Sequence, residues 1–114
     1  MFDITNLKDY QDTIEEQIKL SKEYALYRRQ AGEAKRGLDI LLAANILSIK
    51  ADKPNAGYDM AVILLMATND AARIYHKEVV EAESKYKGIE KILEALQTKI
   101  SFAQSVMRFE KDNT

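Results

Sequence analysis

The sequence predicts an all-α protein built as an antiparallel, coiled-coil-like hairpin of two long helices. Only four glycines and one proline occur in 114 residues, whereas strands joined by turns would need more of both. Apolar residues recur at alternating spacings of three and four through most of the second half, which is the pattern of a coiled-coil seam. The one proline lies between two helix-prone segments and therefore predicts a bend.

The second predicted helix, residues 57–109, carries the stronger seam. Every seventh residue from Leu65 is apolar, and so is the residue three positions after each, with Thr68 as the exception. A sustained seven-residue repeat predicts left-handed pairing with another helix. The predicted seam positions are Leu65, Thr68, Ala72, Tyr75, Val79, Ala82, Tyr86, Ile89, Leu93, Leu96, Ile100, Ala103 and Met107.

The first predicted helix, residues 5–50, carries a weaker seam, which continues poorly toward the N-terminus. Asp3 or Thr5 is the predicted cap of this helix, since short polar side chains satisfy the first free backbone N–H groups. Acidic residues follow in the first turns, where the helix dipole favours them. The seam positions are Leu20, Tyr24, Tyr27, Ala31, Ala34, Leu38 and Leu41.

A polar turn over residues 51–56 joins the two predicted helices into a single domain, residues 1–114. Pro54 cannot continue a helix, and a connection this short makes the helices antiparallel neighbours. The predicted register pairs residue i with roughly residue 108 − i. It places Ala31 and Ala34 against Tyr75 and Val79, and Tyr24 near Tyr86.

Both helices are apolar on more than one face near the bend, within residues 38–49 and 60–67. One partner helix cannot cover such segments, so we expect hairpins to associate into a helical bundle, with a homodimer as the first choice. The alternative is a break in either helix, for which residues 68–70 are the candidate position, with the pieces folding back into a compact three-helix bundle. The predicted oligomer interface comprises Leu42, Ile46, Leu47, Ile49, Met60, Ile63, Leu64 and Met66.

The residues offer little for catalysis, and we predict no enzyme, no cofactor and no metal site. The chain has no cysteine, which excludes thiolate zinc sites and cysteine nucleophiles. His76 has no ligand-type residue three or four positions away, so we expect a half-buried or surface imidazole. Glu78 and Glu81 form a Glu-x-x-Glu pair, but it lies off the seam and lacks the second acidic motif of all-α pyrophosphatases.

Basic residues concentrate in the middle of the predicted hairpin, although the net charge is −1. Tyrosines lie close by, and this combination is found in proteins that bind single-stranded nucleic acid. Solvated charges beside the seam, or a protein contact, explain the same pattern. The candidate nucleic-acid or partner contacts are Arg28, Arg29, Lys35, Arg36, Arg73 and Lys77.

The N-terminal residues show neither the basic nor the apolar region of a secretory signal. The longest apolar runs are shorter than the ~20 residues that cross a bilayer. We therefore expect a cytoplasmic protein with no membrane association.

Three stretches carry a resemblance to known proteins: KEYALY at residues 22–27, KPNAGYDMA at 53–61 and YKGIEKILEALQTKIS at 86–101. With them the chain resembles small helical proteins encoded by bacteriophages and prophages, many of them beside replication and single-strand annealing genes. The resemblance implies a non-enzymatic interaction or scaffold protein that is an accessory to phage DNA replication or recombination, acting in the host cytoplasm. It also leaves open an inhibitor of a host or defence protein, and it assigns no catalytic residue.

Overall fold

The computed structural model describes residues 4–112, which form three α-helices and no strand. Helix α1 spans Leu7–Asp52, α2 spans Tyr58–Thr68 and α3 spans Asp70–Asp112. The predicted all-α class is confirmed. Packing divides the chain into two units. Unit 1 combines Met1–Leu26 with Lys85–Thr114, and unit 2 is Tyr27–Ser84.

Asn6 caps the start of α1. Its side-chain oxygen accepts a hydrogen bond from the N–H of Asp9 at 2.9 Å, which satisfies one of the free donors of the first turn. The predicted cap Thr5 instead donates its own N–H and hydroxyl to the Asp9 carboxylate, at 3.2 and 2.5 Å. These bonds lower the pKa of Asp9. The other predicted cap, Asp3, lies outside the described residues.

The bend at Pro54 is confirmed. The N–H of Lys53 still donates to the carbonyl of Ile49 at 2.9 Å, but Pro54 has no N–H with which to continue the helix. The chain then turns, and the N–H of Ala56 donates to the carbonyl of Lys53 at 3.1 Å. Helix α1 therefore ends at Asp52 rather than near residue 50.

The structure replaces the predicted single helix over residues 57–109 with two helices separated at Asn69. The backbone of Asn69 is extended, with φ −128° and ψ 110°. Its side-chain oxygen accepts a hydrogen bond from the N–H of Ala72 at 3.0 Å, so Asn69 caps α3. This is the break that the sequence offered as the alternative. Periodicity did not reveal it, because Leu65 and Ala72 on either side both stay buried.

Within unit 1, the N-terminal part of α1 runs antiparallel to the C-terminal part of α3. The rings of Tyr24 and Tyr86 meet edge to face, with centroids 5.8 Å apart, which confirms their predicted proximity. Gln17 donates to Gln97 at 2.7 Å, whereas the predicted register placed roughly residue 91 there. The predicted register therefore holds to within about two residues at Tyr24 and differs by about six at Gln17.

The core of unit 2 combines side chains from all three helices. Tyr75 packs against this core, and its ring lies directly beside Gly37. The predicted register instead placed Tyr75 opposite the small residues Ala31 and Ala34, both of which are buried. The buried residues of the core are Leu38, Leu42, Ile49, Ala61, Val62, Leu65 and Ala72.

Burial along α3 follows the predicted seam, because the residues that repeat every seven positions share one side of the helix. Tyr75, Val79, Tyr86 and Leu93 are half-buried, and Met107 near the end of α3 is exposed. The fully buried seam positions on α3 are Ala72, Ala82, Ile89, Leu96, Ile100 and Ala103.

Candidate interaction surface

Helix α1 exposes apolar side chains on the side opposite to those that enter the core of unit 2. Ile40, Ala43, Ala44 and Leu47 recur at helical spacing, so they share one face, and all four are exposed. Leu47 is 86% exposed and Ile40 is 60% exposed. We call these four residues the outer face of α1. Its two large aliphatic side chains leave more than half of their surface in water, so the fold of their own chain realises only part of their possible hydrophobic stabilisation.

The eight residues predicted as an oligomer interface do not form one surface. Leu42 and Ile49 are buried in the core of unit 2, where residues of α1, α2 and α3 pack around them. Their own chain therefore covers these two side chains. Leu64 and Met66 are half-buried and pack against the same core. The exposed members are Ile46, Leu47, Met60 and Ile63.

A groove of about 410 Å³ lies between the three helices of unit 2. Leu38 of α1, Val62 of α2 and Val79 of α3 form its apolar lining, and Lys35 and Glu83 add charge at its edges. The groove contains the exposed Ile63, so it extends the apolar character of the unit beyond the outer face of α1.

His76 is half-buried and lines this groove, which is one of the two placements that the sequence left open. Among residues 4–112 there is no group of three histidine, aspartate or glutamate side chains placed to hold a metal ion. Glu78 and Glu81 both lie on exposed surface of α3, and Glu81 faces Lys77 at 3.9 Å.

Tyr58 links the start of α2 to α1. Its hydroxyl donates a hydrogen bond to the Asp39 carboxylate at 2.9 Å. Burial raises the pKa of Tyr58, and the hydrogen bond and negative charge of Asp39 raise it further, to about 12. The pair helps position α2 along α1, and Asp39 directly precedes Ile40, the first residue of the outer face of α1.

Lys50 fixes the connection between α1 and α2. Its ammonium group donates to the carbonyl oxygen of Ala56 at 2.9 Å and lies 3.4 Å from that of Pro54. These carbonyls lie outside any helix and would otherwise depend on water. Lys50 therefore has a local structural role close to the exposed Ile46 and Leu47.

The six predicted basic contacts are all exposed residues of unit 2. Arg73 donates to the carbonyl of Met66 in α2 and pairs with Asp70 in α3. Its guanidinium group therefore connects the two helices at the break. Lys77 lies beside Glu81. The remaining four, which all belong to α1, are Arg28, Arg29, Lys35 and Arg36.

Ile40, Phe102 and Phe109 are exposed apolar residues that the sequence analysis did not place in the predicted interface. The prediction followed the density of apolar residues near the bend rather than the face on which each lies. The spacing of Ile40, Ala44 and Leu47 on one face was a signal that could have found the first. Phe102 and Phe109, near the end of α3 in unit 1, are 71% and 69% exposed.

These features define a class: an all-α protein with unused apolar surface on a helix of unit 2. Comparisons with protein-family models, with curated proteins and with solved structures find no match for the chain. Among the described residues, none of the three helices has the length and apolarity needed to cross a membrane.

Proposed function

We propose that this chain is a non-enzymatic interaction protein that forms a homodimer through apolar side chains exposed on unit 2. The observation that carries the proposal is the exposure of Ile40 and Leu47 on one face of α1, at 60% and 86%. Soluble monomers rarely leave contiguous large apolar side chains in water unless the patch has a function. Met60 and Ile63, three residues apart on α2 and both exposed, add to the available surface.

The magnitude favours a reversible dimer. Burying one large aliphatic side chain contributes roughly 1.5–3 kcal/mol, so Ile40 and Leu47 from two copies contribute roughly 6–12 kcal/mol. Association costs about 4–15 kcal/mol in lost freedom. Because these terms are similar, the four side chains alone give little net affinity. A dimer of about micromolar affinity needs a net of roughly 8 kcal/mol, so we expect further apolar contacts, such as those of Met60 and Ile63, to join the interface.

Light scattering after size-exclusion chromatography tests this proposal. The unmodified chain should have a dimeric mass at tens of micromolar, and Leu47→Lys should be a monomer because a charge cannot be buried in the interface. Ile18→Lys is the matched control: Ile18 is also an exposed apolar residue of α1, at 51%, but belongs to unit 1. A monomeric mass for the unmodified chain would refute the proposal.

In the proposed assembly each copy is an antiparallel hairpin of its two long helices, and two copies form a helical bundle. The antiparallel contacts of Tyr10 with Gln104 and of Gln17 with Gln97, at 3.0 and 2.7 Å, support this arrangement within unit 1. A dimer of this kind suits a scaffold, since its two copies together present the same surface twice.

We propose that the protein is an accessory factor in phage DNA replication or recombination, and this proposal rests on the sequence resemblance. Affinity purification from the native host, with and without nuclease, tests it. Recovery of replication or recombination proteins supports the accessory role. A single host or defence enzyme that persists after nuclease treatment would instead support the inhibitor alternative.

Nucleic-acid binding is the second candidate, and the basic segment of α1 favours it. Arg29 and Arg36 lie seven residues apart and share one helix face, as do Arg28 and Lys35 on the adjacent face. Phosphate contacts of this kind weaken steeply with salt. A fluorescent single-stranded oligonucleotide should bind the unmodified chain at low salt and lose affinity as salt rises.

The double variant Arg29→Glu/Arg36→Glu should abolish that binding. The control is Lys91→Glu/Arg108→Glu, which changes the net charge equally, since both residues are exposed on α3 in unit 1. Equal loss in both variants would show that net charge, rather than the basic segment, governs binding. No binding by the unmodified chain at low salt would refute this candidate.

A further inference from the structure

We propose that two copies pair through the outer face of α1 with the two helices antiparallel and the two-fold axis between Ala43 and Ala44. This inference rests on the proposed self-association and goes beyond it, because it names the helix, the direction and the register of the pairing.

The side chains on this face are arranged symmetrically about its centre. Ile40 and Leu47 are large and exposed, and Ala43 and Ala44 between them are small. In an antiparallel pair centred there, Ile40 of one copy lies against Leu47 of the second copy, on both sides of the axis. The alanines permit a close approach of the helices at the crossing point, where interaxial distances are about 8–10 Å.

Charge decides the direction of pairing. Asp39 and Lys50 are exposed and lie three helical turns apart along the same flank of this face. An antiparallel pair places Asp39 of each copy beside Lys50 of the other, which gives two attractive contacts. A parallel pair would place the Asp39–Lys50 flanks of the two copies on opposite sides of the interface, because each flank then faces the other flank of its partner helix. That arrangement lacks both attractive contacts.

The chain itself is a suitable occupant for this face. A two-fold interface must use the same patch on both copies, and this patch matches its own inverted copy in side-chain size and in charge. A helix from an unrelated partner would need an apolar centre with a basic and an acidic group at matching positions. We therefore assign a second copy to the outer face of α1.

Cysteine cross-linking tests the pairing directly, because the chain has no cysteine of its own. Ile40→Cys and Leu47→Cys are prepared separately, mixed, and oxidised. In an antiparallel pair the two different cysteines face each other, whereas identical cysteines are about 10 Å apart along the axis, at ~1.5 Å per residue, which is too far for a disulfide. A non-reducing gel should show cross-linked dimer in the mixture and little in either variant alone.

Ile18→Cys measures random collision, since Ile18 is exposed on the same helix in unit 1. Circular dichroism of each reduced variant verifies that it is folded, and light scattering verifies its mass. Cross-linking of Ile40→Cys with itself would show parallel pairing and overturn the inference. A dimeric mass without cross-linking in the mixture would overturn the inference and leave the proposed function standing. A monomeric mass of the unmodified chain would overturn both.

A charge exchange gives an independent measurement of direction. Asp39→Lys and Lys50→Asp should each weaken dimerisation roughly tenfold, since each places like charges together. The double variant restores opposite charges and should recover most of the affinity. Asp39 accepts a hydrogen bond from Tyr58, and Lys50 donates one to the carbonyl of Ala56. Dimerisation is therefore compared only among variants with unchanged helical content and unchanged free energy of unfolding. Additive losses in the double variant would contradict the antiparallel contacts.

Discussion

Gly37 provides a sharp test of how α1 and α3 pack in unit 2. A Cβ atom added at Gly37 would lie 2.7 Å from two ring atoms of Tyr75. A Cβ added at Gly32, five residues earlier in the same helix, would meet nothing within 4 Å. Neither glycine has a positive φ. The close approach of the Tyr75 ring, rather than the backbone conformation, therefore accounts for glycine at position 37.

We predict that Gly32→Ala stabilises the protein and that Gly37→Ala destabilises it. Alanine in a helix interior is favoured over glycine by roughly 0.5–1 kcal/mol, and Gly32→Ala should show this gain. At Gly37 the same gain is opposed by overpacking, which costs about 1–3 kcal/mol. The cost applies because the Tyr75 ring packs against the core and must shift. The two variants should differ by roughly 1–3 kcal/mol in free energy of unfolding.

Urea unfolding followed by circular dichroism measures both variants, at one low protein concentration so that association does not contribute. Tyr75→Leu removes the ring, and in that background Gly37→Ala should regain the stabilisation seen for Gly32→Ala. If Gly37→Ala is as stabilising as Gly32→Ala in the unmodified background, the ring is not held against Gly37 and the reasoning is refuted.

Three further perturbations follow from individual contacts. Asn69→Ala removes the cap of α3 and should lower the free energy of unfolding by about 1 kcal/mol in urea titrations. Leu96→Ala should cost about 3 kcal/mol in the same assay, since Leu96 is 1% exposed and truncation leaves a cavity. Tyr58 holds its proton to about pH 12 when folded, against 10.0 for the unconstrained side chain. Stability should therefore fall as pH rises from 10 toward 12, and Tyr58→Phe should remove that part of the slope.

Matched variants separate these effects from general damage. Asn69→Asp retains a capping oxygen and should keep most of the stability; an equal loss in both Asn69 variants would contradict a capping role. Leu47→Ala should change monomer stability by less than about 0.5 kcal/mol because Leu47 is exposed. The Tyr58 contribution should be no more than about 1 kcal/mol, since half the residue is in water. If the free energy of unfolding falls equally with pH in Tyr58→Phe and in the unmodified chain, the proposed contribution of Tyr58 is contradicted.

Much of the fold was predictable because helical periodicity and proline act locally. The repeat from Leu65 predicted which side of α3 is buried, and the single proline predicted the end of α1. The proximity of Tyr24 to Tyr86 also followed from antiparallel pairing. The register elsewhere did not, since it depends on the length and shape of the connection, which no spacing within one helix reports.

The surface was harder to predict than the core. Apolar density near the bend indicated excess apolar surface, but it could not separate Leu42 and Ile49, which the core uses, from Leu47, which it leaves exposed. That separation depends on the position of α2. The capping role of Asn69 was equally ambiguous, because an asparagine between two apolar segments fits a solvated helix position as well as a helix end.

The sequence by itself determined the helical class, the seam and the bend, because each follows from side-chain period and backbone chemistry within one helix. Only the tertiary structure decided that the second helix breaks at Asn69, that Gly37 accommodates Tyr75, and that the outer face of α1 remains uncovered. These outcomes depend on how three helices share a limited apolar core. The neighbours of a residue in the chain do not determine whether a distant helix will cover that residue.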